Sequence, residues 1–171
     1  MNEAIRKDFP TTKTLTYLNS ASISPTPTPV IEAAQEYFAR RQEWHSIHGW
    51  LGKAEEVRQQ AAAMIGAKVE EVFFGMNTGD GINLVASSID WQPGDNVVLD
   101  DLAYVSDFVL WHHYEQAHSI ELRIVQNLAG SATVEAFADV TNERTRLISI
   151  PYVSHHNGYL HDIRGIADLA H

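Results

Sequence analysis

Gln92-Pro93-Gly94-Asp95-Asn96-Val97-Val98-Leu99 places a tight turn directly before a short apolar run, as expected of a strand that starts at Asn96 and ends near Leu99. Val105 to Ala117 follows with the length of a helix, and Ile120 to Val125 reads as another strand. The same alternation continues outward from this unit. Downstream come a short helix at Val134 to Ala138, a buried strand at Arg146 to Pro151 and a helix from Ile163 to Ala170; upstream, Glu71-Val72-Phe73-Phe74 reads as a buried strand and Gly81 to Ile89 as a helix. Strands alternating with helices predict an α/β fold, a mainly parallel sheet with helices on both faces, whose ligands gather at the carboxyl ends of the strands.

Residues 1–68 have a different texture. Tyr17-Leu18 is a short strand candidate, and Ser20 to Pro29 is rich in Pro, Thr and Ser. Thr28-Pro29 then offers a capping hydroxyl and a first-turn proline for a helix to about Arg41. Leu51, Ala54, Val57, Ala61, Met64 and Ile65 recur at helical spacing in a second helix ended by Gly66. The expected division is an N-terminal arm with helices over 1–68 and a sheet-bearing domain over 69–171.

Composition narrows the function. With 12 Lys+Arg against 22 Asp+Glu, a formal charge of −10, the chain lacks the basic field that collects nucleic acid or an anionic membrane surface. No apolar run approaches the roughly 20 residues that span a bilayer. The N-terminus mixes acids with bases and resembles no leader, so a cytoplasmic location is expected. Cysteine is absent and says nothing of redox compartment. The nine histidines include His112-His113, His155-His156 and His161, but no His-Glu-x-x-His pattern occurs, so no metal site is expected. Trp44, Trp50, Trp91 and Trp111 read as core or subunit-contact residues.

The local feature closest to chemistry is Phe73-Phe74-Gly75-Met76-Asn77-Thr78-Gly79-Asp80-Gly81, a glycine-bearing turn before a helix. Free amides at a helix start, with the macrodipole behind them, suit a phosphate, and Thr78 could add a hydroxyl. The same turn is equally readable as a simple cap, with Asp80 neutralising the dipole.

This turn resembles the one that holds the phosphate of pyridoxal 5'-phosphate (PLP) in class V aminotransferases, cysteine desulfurases and their epimerase-like relatives. Tyr17-Leu18-Asn19-Ser20-Ala21-Ser22 is similar to the family's opening segment. Pro93-Gly94-Asp95 is similar to its usual turn, and Thr145-Arg146-Leu147 through Val153-Ser154, Gly158 and Leu169-Ala170-His171 to a later block. The resemblance covers nearly the whole chain and implies part of the large domain of a fold type I PLP enzyme. It implies that Asn77, Thr78 and Gly79 face the phosphate, and that Tyr104 stacks on the pyridine ring. By the same resemblance His155 reaches the phenolic oxygen where many relatives have asparagine, and Asn19, Ser20 and Ala21 approach an amino-acid substrate. Gly79 stands where the family has a second hydroxyl, and Asp80 where it has Glu, so phosphate affinity is expected to be lower. Read without the resemblance, Tyr104 is a first-turn tyrosine packing its ring, and His155 belongs to a polar loop.

A PLP enzyme also needs an acid beside the pyridine nitrogen and a lysine to hold the cofactor. Lys7, Lys13, Lys53 and Lys68 all precede the glycine turn, and none matches the family's lysine. The expectation is the N-terminal part of such an enzyme, as a truncated gene, a fragment or half of a split protein, homodimeric in full-length form. Transamination, elimination and epimerisation all remain open; Tyr104 in place of a stacking histidine leans toward the epimerase-like or selenocysteine-lyase-like branch. The alternative is a catalytically inactive relative serving as a dimerisation or regulatory module.

Overall fold

The computed structural model describes residues 3–42 and 47–171, and Trp44 lies outside them. The chain divides into two compact units, Met1–Phe73 and Phe74–His171. The first holds α1 (Glu3–Arg6), α2 (Thr28–Arg40) and α3 (Ile47–Ile65), with short 3-10 turns at Pro10–Lys13 and Val69–Glu71. Tyr17-Leu18 forms no strand, and Leu18 is exposed. At the start of α2 the Thr28 hydroxyl is not the cap. Pro27 holds that position, and both the Thr28 amide and its Oγ1 donate to the Asp8 carbonyl, at 2.8 and 3.3 Å. α3 ends as the apolar spacing predicts: Gly66 takes φ +71°, a left-handed conformation open to glycine, and the Ala67 amide returns to the Ala62 carbonyl at 2.9 Å. Along α3 the Arg58 guanidinium bonds Glu55 and donates to the Val69 carbonyl at 3.1 Å, which ties the helix to the following turn. Trp50 meets Tyr37 edge-on at 4.7 Å.

The second unit carries α4 (Thr78–Ser87), β1 (Asn96–Asp100), α5 (Val105–His118), β2 (Glu121–Val125), α6 (Val134–Val140), β3 (Thr145–Ile148) and α7 (Ile163–Ala170). The three strands are parallel in the order β2-β1-β3. Every residue of the central β1 is buried, as expected of a strand with a neighbour on each side and helices on each face. Alternation then sorts the side chains. Val97 and Leu99, with Leu122 and Leu147, pack on Ala86, Trp111 and Tyr114 from α4 and α5; Val98, with Val125 and Ile148, packs on Phe137 and Ile166 from α6 and α7. The α/β architecture with helices on both faces of a parallel sheet is therefore the observed one.

Two further expectations change. Glu71-Val72-Phe73-Phe74 is not a buried strand: Glu71 closes a 3-10 turn, and Phe73 and Phe74 are each 59% exposed. No described strand lies beside them to accept a ladder, so apolar, β-prone composition alone does not make a strand. The helix expected from Gly81 begins three residues earlier, at Thr78. There the Asn77 side chain accepts the Asp80 amide at 2.9 Å, which draws Thr78, Gly79 and Asp80 into the first turn.

Candidate functional site

The carboxyl ends of the three strands converge through polar contacts. After β1 the chain turns sharply: Asp100 Oδ1 accepts the Leu102 amide at 2.8 Å, and the Ala103 amide donates to the Asp100 carbonyl at 3.2 Å. After β2, Asn127 bonds both carboxylate oxygens of Asp101, through its backbone amide and its Nδ2, each at 2.9 Å. After β3 the chain forms a small hairpin. Val153 and Leu160 pair across it, the Ser154 amide donates to the Tyr159 carbonyl at 2.9 Å, and the His161 amide donates to the Tyr152 carbonyl at 3.0 Å. Ser154 Oγ then donates to the Leu102 carbonyl at 3.1 Å, joining this hairpin to the turn after β1.

That junction brings two expected residues together. Tyr104, the N-cap residue of α5, is half-exposed, and its ring meets the His155 ring edge-on with centroids 4.7 Å apart and planes at 72°. Tyr104 is thus neither buried nor used as a side-chain cap, and His155 is an exposed residue with a ring partner rather than a free loop side chain.

Asn77, Thr78 and Gly79 open α4. Asn77 Oδ1 takes the Asp80 amide, and the Asn77 carbonyl accepts the Gly81 amide at 3.4 Å. The amides of Thr78 and Gly79 have no partner among the described residues. Cap and open amides therefore coexist in one turn: one donor is closed by the Asn77 side chain, and two are unpartnered among the described residues at the positive end of the helix dipole. These three residues share no hydrogen bond or ring contact with Tyr104 and His155. Asn19, Ser20 and Ala21 belong to the first unit, in an exposed turn closed by the Ser22 amide on the Asn19 carbonyl at 3.2 Å; nearby, the Tyr17 hydroxyl donates to the Ile23 carbonyl.

The sequence reading passed over the strongest polar feature of this region. His161 Nε2 lies 2.6 Å from Asp100 Oδ2, and both side chains are fully buried. Because a carboxylate accepts, Nε2 carries the proton and donates, which leaves Nδ1 as a buried nitrogen without a partner. One signal was available in the sequence. Asn96, Val98 and Asp100 share a face of a strand that is apolar at its centre, and an acid there requires a buried partner. Nearby Asp107 is also buried. Desolvation holds its carboxyl above the usual carboxylate range; the Ser106 hydroxyl pulls it down and the Asp100 charge pushes it up. Among the described residues no group of three His, Asp or Glu side chains could hold a metal ion. No described helix is long and apolar enough to cross a membrane.

A three-stranded parallel sheet covered by helices on both faces, with polar turns at its strand ends, defines an α/β protein. The family model for class-V aminotransferases matches residues 16–171, and the chain belongs to that family. A probable cysteine desulfurase of Methanothermobacter thermautotrophicus is 30% identical over 99% of this chain and 44% of its own length. The apo structure of a cysteine desulfurase from Thermococcus onnurineus superposes with a TM-score of 0.84 at 28% identity, covering 99% of this chain and 45% of that one. A C-DES variant with glycine covalently linked to its PLP cofactor shares the fold, with a TM-score of 0.84 at 18% identity, over 96% of this chain and 45% of its own. The chain thus spans less than half the length of these relatives.

Proposed function

We propose that this chain is the N-terminal part of a PLP-dependent enzyme that acts on an amino acid, with cysteine desulfurisation the reaction its relatives favour. The observation that carries the reading is the start of α4, where the amides of Thr78 and Gly79 are unpartnered among the described residues at the head of a helix in a chain of this family. The residues present fit the cofactor. Thr78 and Gly79 would take the phosphate, charge-assisted and favoured by the dipole. Tyr104, flat and accessible, would lie against the ring, with His155 reaching its phenolic oxygen. Bound PLP supplies an electron sink for a bond broken at the substrate's α-carbon. The chain's own part is to hold that group in one orientation, while the His155 imidazole offers a ring nitrogen beside it. Asn19, Ser20 and Ala21 are assigned to the substrate side. The covalent anchor is not contributed by the unit Phe74–His171, which contains no lysine. A homodimer in the cytoplasm completes the reading, and no feature of the described residues favours a non-catalytic module over it.

Thr78→Pro tests this directly. Thr78 is the first helical residue, and Asn77 before it is extended at φ −164° and ψ 173°, the conformation a following proline demands. The helix therefore tolerates the change while one amide and one hydroxyl are lost. Hydrogen bonds to a charged group contribute about 1.5–3 kcal/mol each, so losing both should weaken PLP binding to the intact variant by roughly 100- to 10,000-fold, read by absorbance titration. Unchanged PLP affinity in a folded Thr78→Pro protein would overturn the assignment.

A further inference from the structure

We infer that the buried His161–Asp100 pair is a positioning device that sets where the Tyr104 and His155 rings meet, an assignment that builds on the PLP reading above. The hairpin over 152–161 leaves β3 and returns to α7, and it touches the turn after β1 at two polar points. Ser154 Oγ donates to the Leu102 carbonyl at 3.1 Å, and His161 Nε2 donates to Asp100 Oδ2 at 2.6 Å. His155 follows the first of these points directly, and the His156 amide donates back to Ser154 Oγ at 3.1 Å. Tyr104 lies two residues beyond Leu102, whose amide is held by the other oxygen of the same Asp100 carboxylate. One carboxylate thus shapes the turn that presents Tyr104 with Oδ1 and anchors the hairpin that presents His155 with Oδ2.

The geometry makes this a precise link. Both side chains of the pair are fully buried, so water has no access to replace either partner. The His161 imidazole has one hydrogen bond, through Nε2, and an edge contact with the Tyr159 ring at 4.8 Å; its Nδ1 is unpartnered among the described residues. Among the described residues no other polar group bonds the imidazole, so this one bond fixes how His161 meets the end of β1. His161 and Asp100 make no contact with Tyr104 or His155 themselves. They act through the backbone between.

The test reads His155 in the intact, cofactor-free protein by NMR of histidine side chains, with His155→Gln assigning its signal and Tyr104→Leu giving its position without the ring neighbour. His161→Ala is expected to move the His155 signal to the Tyr104→Leu position. His161→Gln, whose Nε2 stands near where the imidazole Nε2 was, should restore the wild-type signal. A folded His161→Ala protein that keeps the wild-type His155 signal overturns the inference. So does a His161→Gln protein that loses the signal or fails to fold, and that comparison decides the matter even if the alanine variant does not fold. A separate PLP titration distinguishes the two levels. If wild type and Tyr104→Leu bind PLP equally, the cofactor assignment of Tyr104 fails while the His155 signal still decides the positioning role.

Discussion

At Gly165 α7 packs against Val134 of α6 with no room for a side chain, and replacing it with alanine sets two opposing effects against each other. Within a helix, alanine is favoured over glycine by about 1 kcal/mol. A Cβ at this position, however, would stand 2.8 Å from Val134 Cγ2 and 2.7 Å from Asp162 Oδ2, both inside normal contact. Overpacking of this kind costs about 1–3 kcal/mol. The Asp162 carboxylate can swing aside only by releasing the Gly165 amide, which Oδ1 accepts at 3.0 Å as the helix cap, a further loss of about 1 kcal/mol. The costs exceed the gain, so Gly165→Ala should destabilise the second unit by roughly 1–3 kcal/mol. Urea unfolding of the intact protein followed by circular dichroism measures it. Adding Val134→Ala removes the methyl contact, so the double variant should be less destabilised than the sum of the two singles, a favourable coupling of about 1 kcal/mol. A Gly165→Ala protein as stable as wild type would show that the α6–α7 approach is looser than the described geometry and would refute the reasoning.

Further outcomes follow from single groups. Asn77→Ala removes the side chain that accepts the Asp80 amide and should cost about 1 kcal/mol, seen as roughly fivefold faster hydrogen exchange across α4; Asn77→Ser keeps a capping oxygen and should lie within a few tenths of wild type. Asp107, whose carboxyl is held above its ordinary range by burial, weakens the fold when ionised. Its stability contribution is intact below the unfolded pKa and is lost as pH rises through the folded one. Asp107→Asn should therefore be more stable than wild type at pH 7, with the advantage gone at about pH 3. Equal urea midpoints at neutral pH would contradict this.

Much of this protein was legible along the chain. The turn at 92–95, the strand at Asn96, both later strands and the helices that separate them follow from local turn chemistry and from the length of apolar runs, which act over a few residues. Tyr104 and His155 were likewise readable as candidates, since each follows a strand, and Thr78 and Gly79 because they open a helix behind a glycine-bearing turn. The failures have one cause. Phe73-Phe74 has strand composition but no described neighbour to pair with, and Thr28 had its hydroxyl drawn away by the Asp8 carbonyl, 20 residues distant. Pairing and capping depend on partners that local sequence does not name.

The sequence by itself determined the alternation of strands and helices, and with it a parallel sheet covered by helices on both faces. Only the tertiary structure decided that Asp100 meets His161 across 61 residues, and that Tyr104 meets His155 across a loop junction. The difference is physical. Periodicity and turn preference are properties of a short peptide, whereas burial of a polar pair and the angle between two rings exist only after β1 and β3 are laid side by side and their ends brought into one place.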